Sequence, residues 1–300
     1  MPAATPLTWM ILLSLGLIWG GSFLGVELAL EGYAPFTLAA GRIVIGALAI
    51  LAIAFAVGAG LPGLRTAVGR RIWLCAFGMG LLSNALPFTL LSWGQQQVTS
   101  GFAGVTMACV PLLVLPLAHV FVPGDRLTWT KGLGFSVGFV GVVILIGPAS
   151  ILSGEDAPLA RIACIAAACC YAFGGIVTRR APPCPLLSLS AAALLCAALM
   201  MVPLALLLEG VPRIAGPVST GALLYLGLLP TALATLLLVH VIKVAGPSFL
   251  SLVNYQVPIW AAVLGAVVLA EPVPPQMILA LGLVLAGMVI AQGQWRRRQA

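Results

Sequence analysis

Charge is what this chain has least of: 7% of its 300 residues are Asp, Glu, Lys or Arg, and only Asp125 and Asp156 are aspartates. Histidine is as scarce, with His119 and His240 alone. No pair of acids or histidines stands at ligand spacing inside one apolar stretch. Metal-assisted catalysis on carboxylates therefore has nothing to build on, nor does a nucleophile paired with a base. Cys75, Cys109, Cys164, Cys169, Cys170, Cys184 and Cys196 show no metal spacing, and read as small apolar filler. Hydrophobic residues make up 62% of the chain and the mean hydropathy is +1.17, beyond what a water-soluble fold can cover. Lipid is then the main solvent, and spanning backbone must bond to itself.

What is present is a succession of apolar stretches, near 7–28, 35–57, 72–93, 101–121, 130–148, 158–178, 186–208, 219–242, 247–269 and 274–293. Each is close to the roughly 20 residues a spanning helix needs. The first has no basic residue ahead of it and outruns the apolar core of a secretory signal, so it is counted as a span. With the N-terminus inside, Arg65, Arg70, Arg71, Arg126, Lys131, Arg179, Arg180, Lys243, Arg296, Arg297 and Arg298 all face the cytoplasm. Only Arg161 and Arg213 face out, and Arg42 lies within the second stretch. That is a strong positive-inside bias. The formal charge of +7 sets orientation and does not mark a nucleic-acid surface.

Displaced by 147 residues, parts of the chain fall on themselves. Phe102 meets Phe249, Pro111 meets Pro258 and Asn84 meets Thr231; earlier in the chain, at a larger offset, Trp19-Gly20-Gly21 has a counterpart in Phe173-Gly174-Gly175. Five spans per half is an odd number, so the second half enters the membrane in the opposite sense. Inverted repeats of this kind recur in transporters, where two halves exchange conformations around a central site.

The segment Leu15-Gly16-Leu17-Ile18-Trp19-Gly20-Gly21-Ser22-Phe23 bears a family resemblance, as do Ala39-Ala40-Gly41-Arg42-Ile43 and Thr99-Ser100-Gly101-Phe102-Ala103 leading to Pro111. Together they resemble the drug/metabolite transporter superfamily, EamA type. The resemblance covers both halves. It implies ten helices, a cavity between the halves, and export of amino acids or related metabolites across a bacterial inner membrane. Four-helix multidrug relatives carry a mid-membrane glutamate in their first helix; this chain has none there.

In the ninth stretch Ser248, Ser251, Asn254, Tyr255 and Pro258 share one helical face. Such groups line a wet interior or bond between packed helices. Asn84, Trp93, Thr231 and Thr235 belong to the matching third and eighth stretches. Trp19, Ser22 and Tyr171 lie deep in the first and sixth. Aromatic faces suit an apolar side chain or an ammonium group, and Trp93 suits an interfacial belt equally well. Pro111 and Pro258 break backbone bonds and are candidate paired hinges, or fixed kinks. Arg42 is the basic residue inside a span, with Glu27 or Glu31 as expected partners, or else a substrate carboxylate. Gly134-x-x-x-Gly138 and Gly282-x-x-x-Ala286 resemble small-residue packing faces.

The sequence predicts an all-α integral membrane protein of ten transmembrane helices in two inverted five-helix repeats, 1–148 and 149–300, with both termini cytoplasmic. The function expected is transport of a small neutral or zwitterionic metabolite, with no cofactor and no nucleic-acid partner. The partners are that small molecule and the bilayer, and the protein is a monomer or a homodimer. The other readings are an integral-membrane enzyme acting on a lipid-linked or small substrate, for which the chemistry-bearing residues are missing, and a transporter of other metabolites.

Overall fold

The computed structural model describes residues 5–122, 127–146 and 158–297. Every regular element among them is helical. In order these are α1 (Pro6–Leu30), α2 (Pro35–Ala56), α3 (Ala67–Gly94), α4 (Ser100–Phe121), α5 (Trp129–Ile146), α6 (Pro158–Arg179), α7 (Leu186–Glu209), α8 (Pro217–Ala245), α9 (Val253–Val268, after a short turn of helix at Pro247–Leu250) and α10 (Pro275–Arg297). Seven of them, α1 to α4 and α6 to α8, are long and apolar enough to cross a bilayer. Shorter apolar helices occupy Trp129–Leu145, Val253–Val268 and Pro275–Ala291. Leu7, Leu48, Phe55, Leu74, Leu199 and Leu207 lie exposed on the outside, where a soluble protein would place polar groups.

Local chemistry explains where the helices begin and where they depart from the expected spans. Helix α3 starts at residue 67, ahead of the expected 72, because Thr66 Oγ1 accepts from Gly69 N at 3.0 Å. Pro6, Pro35 and Pro217 open α1, α2 and α8, where a missing N–H costs nothing. Helix α8 runs on to Ala245 and ends at Gly246, whose φ of 84° is left-handed. The ninth stretch is interrupted at Ser251 and Leu252. Residues 147 and 148 and the connection carrying Glu155 and Asp156 lie outside the described residues, as do Asp125 and Arg126.

Two helices are capped by carboxylates from the other half of the chain. Helix α2 has no side-chain cap of its own; Phe36 N and Thr37 N donate to Glu209 at 3.0 and 2.7 Å. Glu271, after α9, accepts from Ser100 N at 2.8 Å and Gly101 N at 2.9 Å at the start of α4. The first amides of a helix have no intrahelical acceptor and carry the positive end of its dipole, so a carboxylate satisfies both needs.

Small residues let the helices close on one another. Gly134 and Gly138 of α5 meet Gly287 of α10 with backbone against backbone. The expected partner face on α10, at Gly282, meets nothing; the seam runs through Gly287 and Ala291 instead. Gly16 and Gly20 of α1 admit Gln256, Val257 and Trp260 of α9. A core of Leu12, Leu15, Phe23, Leu91, Phe102 and Val257 then draws residues from both halves.

Candidate functional site

Helices α3 and α8 each contain one stretch of wider π winding, Leu81–Ala85 and Gly227–Leu233. Offset by 147 residues, 81–85 falls on 228–232, so both halves carry the defect at the same register. Inside each, a polar side chain bonds the carbonyl five residues back. Asn84 Nδ2 donates to Met79 O at 3.4 Å, and Thr231 Oγ1 to Leu226 O at 2.8 Å. These are the same pair of positions in the two halves. A glycine stands at the entry of each, Gly80 just ahead of the first segment and Gly227 opening the second: a Cβ on Gly80 would stand 2.5 Å from Ala193 O of α7, and one on Gly227 2.5 Å from Ile45 Cβ of α2. π segments cost regular hydrogen bonds and concentrate at functional positions.

The π segment of α8 gathers several of the expected site residues. Trp19 Nε1 donates to Pro230 O at 3.1 Å. Thr235 Oγ1 donates to Thr231 O at 2.6 Å. Arg42 Nη2 reaches Thr231 Oγ1 at 3.5 Å, and its guanidinium lies 3.7 Å from the centre of the Phe88 ring. Tyr171 and Tyr225 lie near Arg42, and the Tyr225 hydroxyl donates to Ile18 O at 3.2 Å. Ser22 Oγ donates to Trp19 O, within its own helix, at 2.7 Å. The junction of α1, α2, α3, α6 and α8 thus holds a buried cation among aromatic faces and hydroxyls.

The remaining expected residues lie in two other places. Glu27 sits beside Gln95 toward the end of α1, with Oε2 buried and unpartnered. Arg42 does not pair with it: among the described residues no carboxylate reaches Arg42, and Glu31 is exposed. Trp93 is half-buried near the end of α3. On α9, Asn254 N and Tyr255 N bond to Ser251 O and Leu252 O, both at 3.2 Å. Tyr255 packs against Ala108, Leu112, Val284 and Met288, away from the Arg42 group, and the side chain of Ser248 lies outside the described set. Sequence reasoning passed over Phe88, Tyr225, Gln95 and Gln256. Gln256, with Oε1 buried and unpartnered against Gly16, was recoverable as an amide in an apolar helix.

The prolines have a matching backbone signature. Pro111 cannot donate to Met107 O, and α4 tightens there: Met107 N and Ala108 N bond three residues back, to Gly104 O and Val105 O. The equivalent amides in α9, of Asn254 and Tyr255, do the same ahead of Pro258. A cleft of about 270 Å³ opens elsewhere, between Gln97, Thr99, Phe102, Arg161, Pro272 and Met277, and shares no residue with the Arg42 group.

These features define a polytopic helical membrane protein with a buried, mixed aromatic and polar junction between its halves. The chain belongs to the EamA-like transporter family, whose model matches residues 7–147 and again 159–292. It is 26% identical to the uncharacterized inner membrane transporter YedA of Escherichia coli, over 93% of this chain and 88% of that protein. It is also 26% identical to a probable terminal-alkyne amino-acid exporter of Streptantibioticus cattleyicolor, over 97% and 96%. A solved crystal structure superposes with a TM-score of 0.69 at 23% identity, covering 96% of this chain and 98% of that one, which establishes the shared fold. The protein is a membrane transporter with several spans in the inner membrane.

Proposed function

We propose that the protein exports small neutral or zwitterionic metabolites, amino acids with apolar or aromatic side chains foremost, by alternating access between two inverted five-helix halves. The observation that carries this is the repeated backbone defect. The π segments of α3 and α8, their Asn84 and Thr231 bonds, and the tightened amides before Pro111 and Pro258 recur at one offset. Departures from regular helix cost hydrogen-bond geometry, and two halves sharing them at matched positions have the same places to bend. Alternating access in an inverted repeat requires each half to adopt the other's conformation. Trp19, Tyr171, Thr231 and Thr235 form the substrate-facing wall on this reading, with Asn84, Asn254 and Ser251 across from them. Pro111 and Pro258 act as the paired hinges. Ten helices cross the membrane, including the shorter α5, α9 and α10.

Purified protein in proteoliposomes, given labelled amino acids with and without a pH gradient, tests the reading. Saturable uptake is expected, reduced at least several-fold by Trp19→Phe, which removes the indole bond to Pro230 O. Uptake that neither saturates nor responds to Trp19→Phe would refute a site at this junction. Absence of movement for every amino acid tried would refute the substrate class and leave the family unaffected.

A further inference from the structure

Arg42 offers five N–H donors, and its surroundings use almost none of them. Nη2 reaches Thr231 Oγ1 at 3.5 Å, the outer limit of a hydrogen bond, while the Thr231 hydroxyl gives its own proton to Leu226 O at 2.8 Å. Nε is buried without a partner, and only 5% of the residue is exposed. Phe88 covers one face of the guanidinium. The neighbouring hydroxyls of Tyr171 and Tyr225 are neutral groups.

The described carboxylates are engaged or placed elsewhere. Glu209 holds the first amides of α2 and Glu271 those of α4. Glu27 lies beside Gln95, and Glu31 is exposed. A cation withdrawn from water without an anion or a full set of acceptors is among the most costly arrangements in a protein interior. A ring face offsets part of that cost, since a cation over an aromatic is attracted to it. It leaves the edge bearing Nε, which is the edge that pairs in a two-bond fork with a carboxylate.

Resting on the transport reading above, we propose that the missing anion is the substrate: Arg42 binds the carboxylate of the transported molecule. The cargo is then a small carboxylic acid, zwitterionic where it also carries an amine. A neutral amide or a cationic amine is discriminated against at this position. Trp19 and Tyr171, which pack on the same core, are placed to take up its apolar remainder. The assignment separates two roles that Arg42 could have in the fold. An arginine held there only to bind Phe88 and Thr231 would treat an acid and its carboxamide alike.

The experiment compares L-phenylalanine, L-leucine and L-serine with their carboxamides, by ligand-induced thermal stabilisation of the full-length protein in nanodiscs and by uptake into proteoliposomes. At least one acid is expected to bind on the order of 10- to 100-fold more tightly than its amide, the range for a charge-assisted bond. The ratio should fall toward one in Arg42→Gln and recover in part in Arg42→Lys. Equal binding of acid and amide in the wild-type protein overturns the proposal, as does binding of no acid, or a preference that survives in Arg42→Gln. If Arg42→Gln does not fold, the wild-type ratio decides by itself. Preferential binding of an acid that never crosses the membrane keeps the Arg42 assignment and removes the transport reading. Amides that cross as readily as acids keep transport and remove the assignment.

Discussion

Removing the Glu271 carboxylate separates what charge contributes to the helix ends from what apolar packing contributes. Its oxygens accept from Ser100 N and Gly101 N at 2.8 and 2.9 Å, while Thr99 Oγ1 takes a third amide, from Phe102 N at 3.2 Å. In Glu271→Ala the Thr99 bond remains and two amides lose their acceptor. An orphaned buried donor costs about 1–3 kcal/mol, and loss of a negative charge at a helix start about 0.3–1 kcal/mol. Some water reaches the half-buried carboxylate, so the lower part of each range applies, giving about 2–4 kcal/mol in total. Glu271→Gln keeps one acceptor without charge, for which about 1–2 kcal/mol is expected. The assay is reversible unfolding in mixed micelles, titrated with sodium dodecyl sulfate. Gly265 gives an independent check, since a methyl there would meet both Glu271 Oε2 and Ser100 Oγ. Gly265→Ala should destabilise alone and add little on top of Glu271→Ala, because both remove the same cap. An alanine variant within about 0.5 kcal/mol of wild type, the scale of ordinary surface changes, would refute the capping account. A glutamine variant as unstable as the alanine one would show that charge carries the cap and that a neutral acceptor of the same shape does not replace it.

Other outcomes follow from the same geometry. Gly227→Val should cost about 1–3 kcal/mol in the same unfolding assay, because its branches would enter the Ile45 side chain; stability like that of wild type would mean that α2 and α8 are farther apart. If Pro111 and Pro258 are hinges, Pro111→Ala and Pro258→Ala should slow transport while raising or preserving stability; unchanged rates in the double variant would make them fixed kinks. The Cys184 thiol lies between α6 and α7, and burial with Cys75 nearby pushes it above its ordinary value. Its protonated form is favoured by folding, so this contribution is intact below the ordinary thiol value of about 8.5 and is lost as pH climbs through the raised one. Alkylation of Cys184, followed by peptide mass spectrometry, should therefore lag behind a free thiol near pH 8 and catch up only at higher pH; equal rates would contradict the burial.

The seven helices long and apolar enough to cross a bilayer were legible because lipid imposes one rule: roughly 20 apolar residues with charge at their ends. Their ends were less so, since caps such as Thr66, and the carboxylates of Glu209 and Glu271 acting from the other half, extend helices beyond the apolar run. The pairing of Asn84 with Thr231 was visible as an offset in sequence, but the π winding beneath it was not. A residue's preference for that winding is weak, and its signal is a hydrogen bond displaced by one position. Arg42 stood out by its charge, whereas its neighbours did not. Phe88 is one apolar residue among many, and only the crossing of α2 with α3 places its ring on the guanidinium. The face expected on α9 holds Tyr255 apart from that group, because α9 packs on α1 with one side and on α4 and α10 with another.

The two π segments also have a consequence for how the gene can vary. Each lodges about one surplus residue inside α3 or α8, taken up by a turn wider than that of α-helix. In regular helix one residue more or less rotates everything beyond it by about 100°. Deleting a single codon within 81–85 or 227–233 would instead close the wide turn and leave the far portion facing as before, while removing the displaced bonds of Asn84 or Thr231. A deletion in the regular turns of α3 ahead of Gly80, by contrast, would carry Phe88 away from Arg42. These two segments are therefore where α3 and α8 can shed a residue without turning a half-helix to the wrong neighbours, and the regular turns on either side should hold their count.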